Sequence, residues 1–133
     1  MDSYPGTQAP LTDISYALKI PEGVRVMAKC PDVVTGSVEI PGEDYILIQE
    51  TVDRGRNLWR LDPARTAQVV GKLFGLEETD KYTLIQRYYD PGSGLQHATV
   101  RVKHGSCTYI LELYQPVKQG SKGIWVLQSI TPL

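Results

Sequence analysis

The chain has no surplus of positive charge: 14 lysine and arginine residues stand against 15 aspartate and glutamate residues, for a net charge of −1. With so little basic excess there is nothing to grip a phosphate backbone, which speaks against nucleic acid as a partner. It has no long apolar run, so no segment reads as a membrane span and membrane insertion is not expected. Its first twenty residues lack the basic start and apolar stretch of a signal peptide. It has no glycine-rich phosphate loop, because Gly92 and Gly94 follow a proline turn and do not open a helix.

Histidine and cysteine are scarce. The two histidines, His97 and His104, lie an odd number of residues apart on one predicted strand. They therefore point to opposite faces, and both read as surface residues of a hairpin. Neither has a second His or Cys at zinc spacing, so no metal and no cofactor is implied. The two cysteines, Cys30 and Cys107, admit two readings. They form one bridge across a long loop, worth about 4 kcal/mol in the chain-entropy account, or they are two buried thiols acting as small hydrophobes. Cys107 three residues after His104 suggests a nucleophile pair, but its inward position raises a thiol pKa and makes it inert.

What is present points to one α+β domain. At 133 residues one domain is the natural expectation, with residues 1 to 10 as a flexible leader and 11 to 133 as the folded part. Residues 14 to 20 and 24 to 28 alternate apolar and polar, as strands do. Val38 to Ile40 reads as a short strand. Tyr45 to Val52 reads as a firmer one, with Ile46, Ile48 and Val52 on its core face.

The best-marked element is a helix over 63 to 74. Asp62 is placed to cap it, Pro63 occupies the first helical position, and Gly75 suits a left-handed stop. Ala67, Val70, Leu73 and Phe74 supply its apolar stripe. After residue 80 four strands follow in regular succession. Ala98, Val100 and Val102 share one face of their strand, and Cys107, Tyr109, Leu111 and Leu113 of the next point inward. In the last strand Ile124, Val126 and Ile130 point one way, Trp125 and Leu127 the other. The expected fold is a curved antiparallel sheet, a C-terminal four-strand meander plus N-terminal strands, packed on one main helix.

No residue pair has the character of a poised acid and base. Asp44, Asp53, Asp62 and Asp90 sit at turns or caps, where aspartate serves the backbone. Glu77, Glu78 and Asp80 read as a solvated cap after the helix. Aromatic residues carry the remaining functional expectation. Trp125, Tyr114 and Leu127 would lie on an uncovered sheet face, with Tyr88 and Tyr89 beside them, forming a platform for a protein or glycan partner or for a homodimer.

Two stretches also carry a resemblance. Leu58-Trp59-Arg60-Leu61-Asp62-Pro63, and Gln115-Pro116 followed by Gly120 and then Gly123-Ile124-Trp125-Val126, resemble small uncharacterised extracytoplasmic domains of Gram-positive, often spore-forming, bacteria. The order of helix and four-stranded meander is similar to cystatin-like and NTF2-like folds. The likeness covers about residues 45 to 131. It implies a non-catalytic binding domain of the cell envelope, secreted or lipid-anchored, with a cytoplasmic location as the alternative. An NTF2-like enzyme or ligand carrier would instead place Tyr82, Tyr109 or His97 in a pocket between helix and sheet. A cystatin-type protease inhibitor is the third reading. However, Gln68-Val69-Val70-Gly71, which is similar to the inhibitors' hairpin motif, falls inside the predicted helix, so their inhibitory role is not carried over.

Overall fold

The computed structural model describes Cys30 and Asp32–Leu133, and the latter stretch forms one compact unit. The expected leader and the strands at 14 to 20 and 24 to 28 lie outside the described residues. In chain order the elements are β1 (Gly36–Ser37), α1 (Tyr45–Asp53), a 3₁₀ turn (Leu58–Leu61), α2 (Pro63–Gly71), a second 3₁₀ turn (Lys72–Phe74), β2 (Lys81–Asp90), β3 (Leu95–His104), β4 (Cys107–Tyr114) and β5 (Val126–Pro132). The fold is α+β. Among the described residues five antiparallel strands form an open sheet in the order β1-β5-β4-β3-β2, so the last four strands make the expected meander.

α2 follows the sequence signals closely. The Asp62 carboxylate accepts from the backbone N–H groups of Ala64 and Arg65 at 2.9 and 3.2 Å. Those are two of the donors a helix start leaves without partners. At the other end the second 3₁₀ turn runs to Gly75, whose φ of 101° is left-handed. A side chain there would meet the Asp32 carbonyl oxygen at 2.1 Å, so glycine is required twice over. Leu76 folds back and is buried against the helix end, its N–H donating to the Gly71 carbonyl. Leu73, expected in the apolar stripe, is exposed, because the tightening to 3₁₀ turns it away from the sheet.

The segment from Tyr45 is a helix and not the expected strand. Asp44 caps it, its Oδ1 accepting from Leu47 N at 3.1 Å. Ile46 and Leu47 point to solvent, whereas Tyr45, Ile48, Gln49 and Val52 turn inward at helical spacing. A buried glutamine stands in that stripe where a hydrophobe would have announced a helix. The described residues therefore hold two α-helices, α1 and α2. The expected strand at 38 to 40 is displaced to Gly36–Ser37, and only the Val38 N–H continues toward β5, donating to Gln128 O at 3.0 Å.

The register assigns each face of the sheet. Val100, Leu111 and Ile130 lie side by side on one face, with Ala98, Leu113 and Leu127 in the next row and Val102 and Tyr109 beyond. All are buried. α2 covers this face, its Gly71 lying beside the Tyr82 hydroxyl. On the opposite face stand Thr83, Gln86 and Tyr88 of β2, His97, Thr99, Arg101 and Lys103 of β3, Thr108, Ile110, Glu112 and Tyr114 of β4, and Ser129 and Thr131 of β5. α1 closes one corner of this polar face, where Val52 packs with Ile124 and Val126 against Tyr114.

A bulge between Glu112 and Leu113 overturns the predicted faces of the last strand. It skips Gln128, so Leu127 and Ile130 point toward the helix together while Val126 points to the polar side. An alternation read without the bulge puts them the other way round.

Candidate functional site

The five residues expected to form a binding platform do not come together. Trp125 and Leu127 are 4% and 3% exposed, so neither presents a surface. The Trp125 backbone N–H donates to Arg60 O at 2.8 Å, joining the strand to the first 3₁₀ turn, where the Arg60 guanidinium lies 4.7 Å above the Trp59 ring. Tyr88 and Tyr89 are exposed but alternate to opposite faces, Tyr88 opposite His97 and Tyr89 opposite Gln96. Only Tyr88 and Tyr114 share the polar face.

Between those two lies His97. Its ring stacks on Tyr88 with centroids 5.4 Å apart and 26° between planes, and it meets Tyr114 at 6.0 Å. The three rings form a row across β2, β3 and β4. His97 is buried by its neighbours, not surface-exposed as expected, and its Nε2 lies 3.2 Å from Ser93 Oγ and 3.7 Å from Asp90 Oδ2.

Carboxylates border the row. Glu112 accepts from Tyr88 OH at 3.2 Å on one oxygen and from Thr99 Oγ1 at 2.8 Å on the other. Thr99 in turn accepts from Gln86 Nε2 at 3.2 Å. Glu39 accepts from Tyr114 OH at 2.9 Å. Among the described residues neither Glu39 nor Glu112 has a lysine or arginine partner. Burial, with the nearby carboxylates adding to it, raises the pKa of both Tyr88 and Tyr114, so both phenols stay protonated donors. The patch therefore offers ring faces, hydroxyl groups and carboxylate oxygens on one side of a rigid sheet. That combination suits hydroxyl-rich or cationic groups. His97 was expected on a hairpin surface or in a pocket between helix and sheet, and Glu112 and Glu39 were not singled out from the sequence. The strand alternation that pairs Tyr88 with Tyr114 would have found His97 and Glu112, whereas Glu39 arrives from a loop far away in the chain.

A second cluster sits at the other end of the sheet, on the helix side. His104 Nδ1 lies 2.6 Å from Asp80 Oδ2, and its Nε2 lies 3.4 Å from Asp32 Oδ2. Both His104 and the Asp80 side chain are buried, against the expectation of a surface histidine and a solvated acidic cap. Asp80 also accepts from the Glu77 N–H at 2.8 Å. Burial opposes the charged imidazolium, but Asp80 and then Asp32 outweigh it and raise the His104 pKa above its ordinary 6.5. The arrangement is an ion-paired clamp joining the start of β2, the end of β3 and the turn at Asp32. His97 and His104 do lie on opposite faces, as alternation requires.

The familiar stretch Gln115 to Val126 resolves into loop scaffolding. Gln115 is fully buried, and its amide donates to the Gly120 and Gly123 carbonyls at 2.8 and 3.0 Å while accepting from Gly120 N at 2.7 Å. Gln49 of α1 does the same from the other side, donating to Lys122 O at 2.8 Å and accepting from Ile124 N at 3.0 Å. At Gly123 a Cβ would fall 1.8 Å from Lys118 O, so the loop closes only around glycine. Residues Gln68 to Gly71 lie in α2. Both cysteines are disulfide-bonded, which with two in the chain makes the bond Cys30–Cys107. No helix among the described residues is long and apolar enough to cross a membrane, and no group of three His, Cys, Asp or Glu there could hold a metal ion.

Comparison with known proteins finds no protein family, no curated protein and no solved structure that matches this chain.

Proposed function

We propose that the protein is a non-catalytic binding domain of a bacterial cell envelope, engaging a glycan or protein partner through the polar face of its sheet at Tyr88, His97, Glu112 and Tyr114. The observation that carries this reading is the row of three neighbouring rings, Tyr88 stacked on His97 and Tyr114 tilted against it, bordered by carboxylates that no lysine or arginine among the described residues neutralises. Aromatic faces beside carboxylate acceptors are the usual equipment of surfaces that hold sugars or amines. The disulfide supports an oxidising compartment outside the cytoplasm. A cystatin-like topology fits better than an NTF2-like one, because the space between α2 and the sheet is filled by Ala67, Val70, Val100, Leu111 and Ile130, with no exposure to solvent beyond a trace.

The test is a titration of the ¹⁵N-labelled protein with peptidoglycan-derived disaccharide peptides, followed by amide shifts. The reading expects shifts centred on Tyr88, His97, Glu112 and Tyr114 that vanish in Tyr88→Ala. Shifts confined to the helix side, or none with this probe and none with the envelope protein fraction, would sink it.

A further inference from the structure

Among the described residues the sheet has one long side left over. Among the described residues β2 is hydrogen-bonded only to β3, so alternate N–H and C=O groups along its 10 residues point outward. Its apolar side chains are also accessible: Leu84, Ile85, Tyr88 and Tyr89 are 37, 46, 37 and 57% exposed. An edge of this length and character is usually short, covered or heavily charged in a protein that stays single.

The charges β2 does carry are arranged for a copy of itself. Lys81 stands directly opposite Lys103 on β3, a like-charge pair, and has no carboxylate partner among the described residues. Asp90, at the far end of the strand, has no lysine or arginine partner there either. In a straight strand Lys81 and Asp90 would lie on opposite faces, since an odd number of steps separates them. The bulge between Leu84 and Gln86 resets the alternation, so both lie on the polar face, and Tyr82 and Tyr89 both lie on the helix face.

That parity matters. A two-fold axis perpendicular to a sheet keeps every residue on its own face, so only residues of the same face can pair across it. With the bulge, Lys81 can sit opposite Asp90 of a second copy at both ends of the junction. The same register sets Tyr82 against Tyr89, Thr83 against Tyr88 and Leu84 against Arg87. We propose that two copies of this chain associate antiparallel through their β2 edges, making one continuous sheet with two Lys81–Asp90 pairs. The junction is narrow, so the dimer is weak, reversible and sensitive to salt. It does not depend on the proposed ligand, although it would place two aromatic patches on one uninterrupted polar face.

Sedimentation equilibrium of the full chain tests this at low and high salt, with circular dichroism to confirm that each variant folds. The expected result is a monomer–dimer equilibrium that weakens as salt rises. Lys81→Glu, which replaces two attractive pairs by two repulsive ones, should weaken it roughly ten-fold or more. Lys81→Glu combined with Asp90→Lys should restore it. Leu84→Lys, set against Arg87, should abolish it, and it keeps the test open if the Asp90 variant fails to fold. Three outcomes overturn the proposal: a wild-type monomer at every soluble concentration, a dimer indifferent to both Lys81→Glu and Leu84→Lys, or a monomer whose outward β2 amides exchange slowly because another part of the chain covers them.

Discussion

The two faces of the sheet are built from the same strands and do opposite work. Toward α2, Val100, Leu111 and Ile130 stand in a row with no exposure at all, and their neighbours are aliphatic. On the other side, at equivalent positions of the same strands, Thr99 and Glu112 are held by hydrogen bonds to one another and to Tyr88. The first face is stabilised by removing apolar area from water. The second gains little from burial, and its groups stay oriented for contact. The difference locates stability and recognition one residue apart along every strand.

The sharpest way to break the comparison is one substitution on each face. Leu111→Ala leaves a cavity in a fully buried row, and the expected loss is about 2–5 kcal/mol. Thermal or urea unfolding measures it. Glu112→Gln, the adjacent residue, should cost under about 1 kcal/mol. Equal losses at the two sites would mean that the polar face is core in disguise.

Next in size is the loop that follows β4. Gln115→Leu keeps the volume and leaves the Gly120 and Gly123 groups without their partner, for an expected cost of about 1–3 kcal/mol. Gly123→Ala forces its Cβ into the Lys118 carbonyl and should cost a similar amount. Because both act on one loop, the double variant should lose clearly less than the sum, which a double-mutant cycle on unfolding free energies reads directly. Full additivity would separate Gln115 from the loop closure assigned to it.

How much of this was legible in the sequence divides along the same line. Asp62-Pro63 and Gly75 announced α2 because caps are local chemistry, and the alternation of Ala98, Val100 and Val102 and of Tyr109, Leu111 and Leu113 gave the helix-side face because apolar residues recur there at every second position. α1 was missed because Gln49 occupies a core position, its amide matched to Lys122 and Ile124 far along the chain. Trp125 and Leu127 were misplaced because the bulge at Glu112 and Leu113 shifts the period by one residue, and nothing local marks it. The row Tyr88–His97–Tyr114 depends on the pairing of three strands. The tyrosines were noticed as residue types, while their joining through a buried histidine was not.

A smaller effect belongs to His104. His104 is held by Asp80 and Asp32, and its folded pKa lies above 6.5 while the unfolded value does not. A group with a raised pKa contributes stability that is fully present below its unfolded pKa and is lost as pH rises through the folded one. Wild-type stability should therefore fall as pH climbs from about 6.5 through the folded pKa, where His104→Gln should be flat. Unfolding measured at constant ionic strength across that window checks the sign. A rise in stability there would mean that burial, and not the two carboxylates, controls His104.

The smallest expected change in stability is the most informative about recognition. Tyr88→Phe removes one hydroxyl from a partly exposed ring and keeps its stacking on His97. The unfolding free energy should move by no more than about 0.5 kcal/mol, as for other exposed positions. The Glu112 oxygen that Tyr88 held then loses its donor and is free to turn toward water. If the patch binds through an ordered carboxylate, affinity for a hydroxyl-bearing or amine-bearing ligand should drop several-fold while stability stays level. If it binds through the ring face alone, Tyr88→Phe should bind as the wild type does, and only Tyr88→Ala should fail. Calorimetric titration of both variants, set beside their melting curves, separates orientation from contact on a face where the two have nearly the same structural cost.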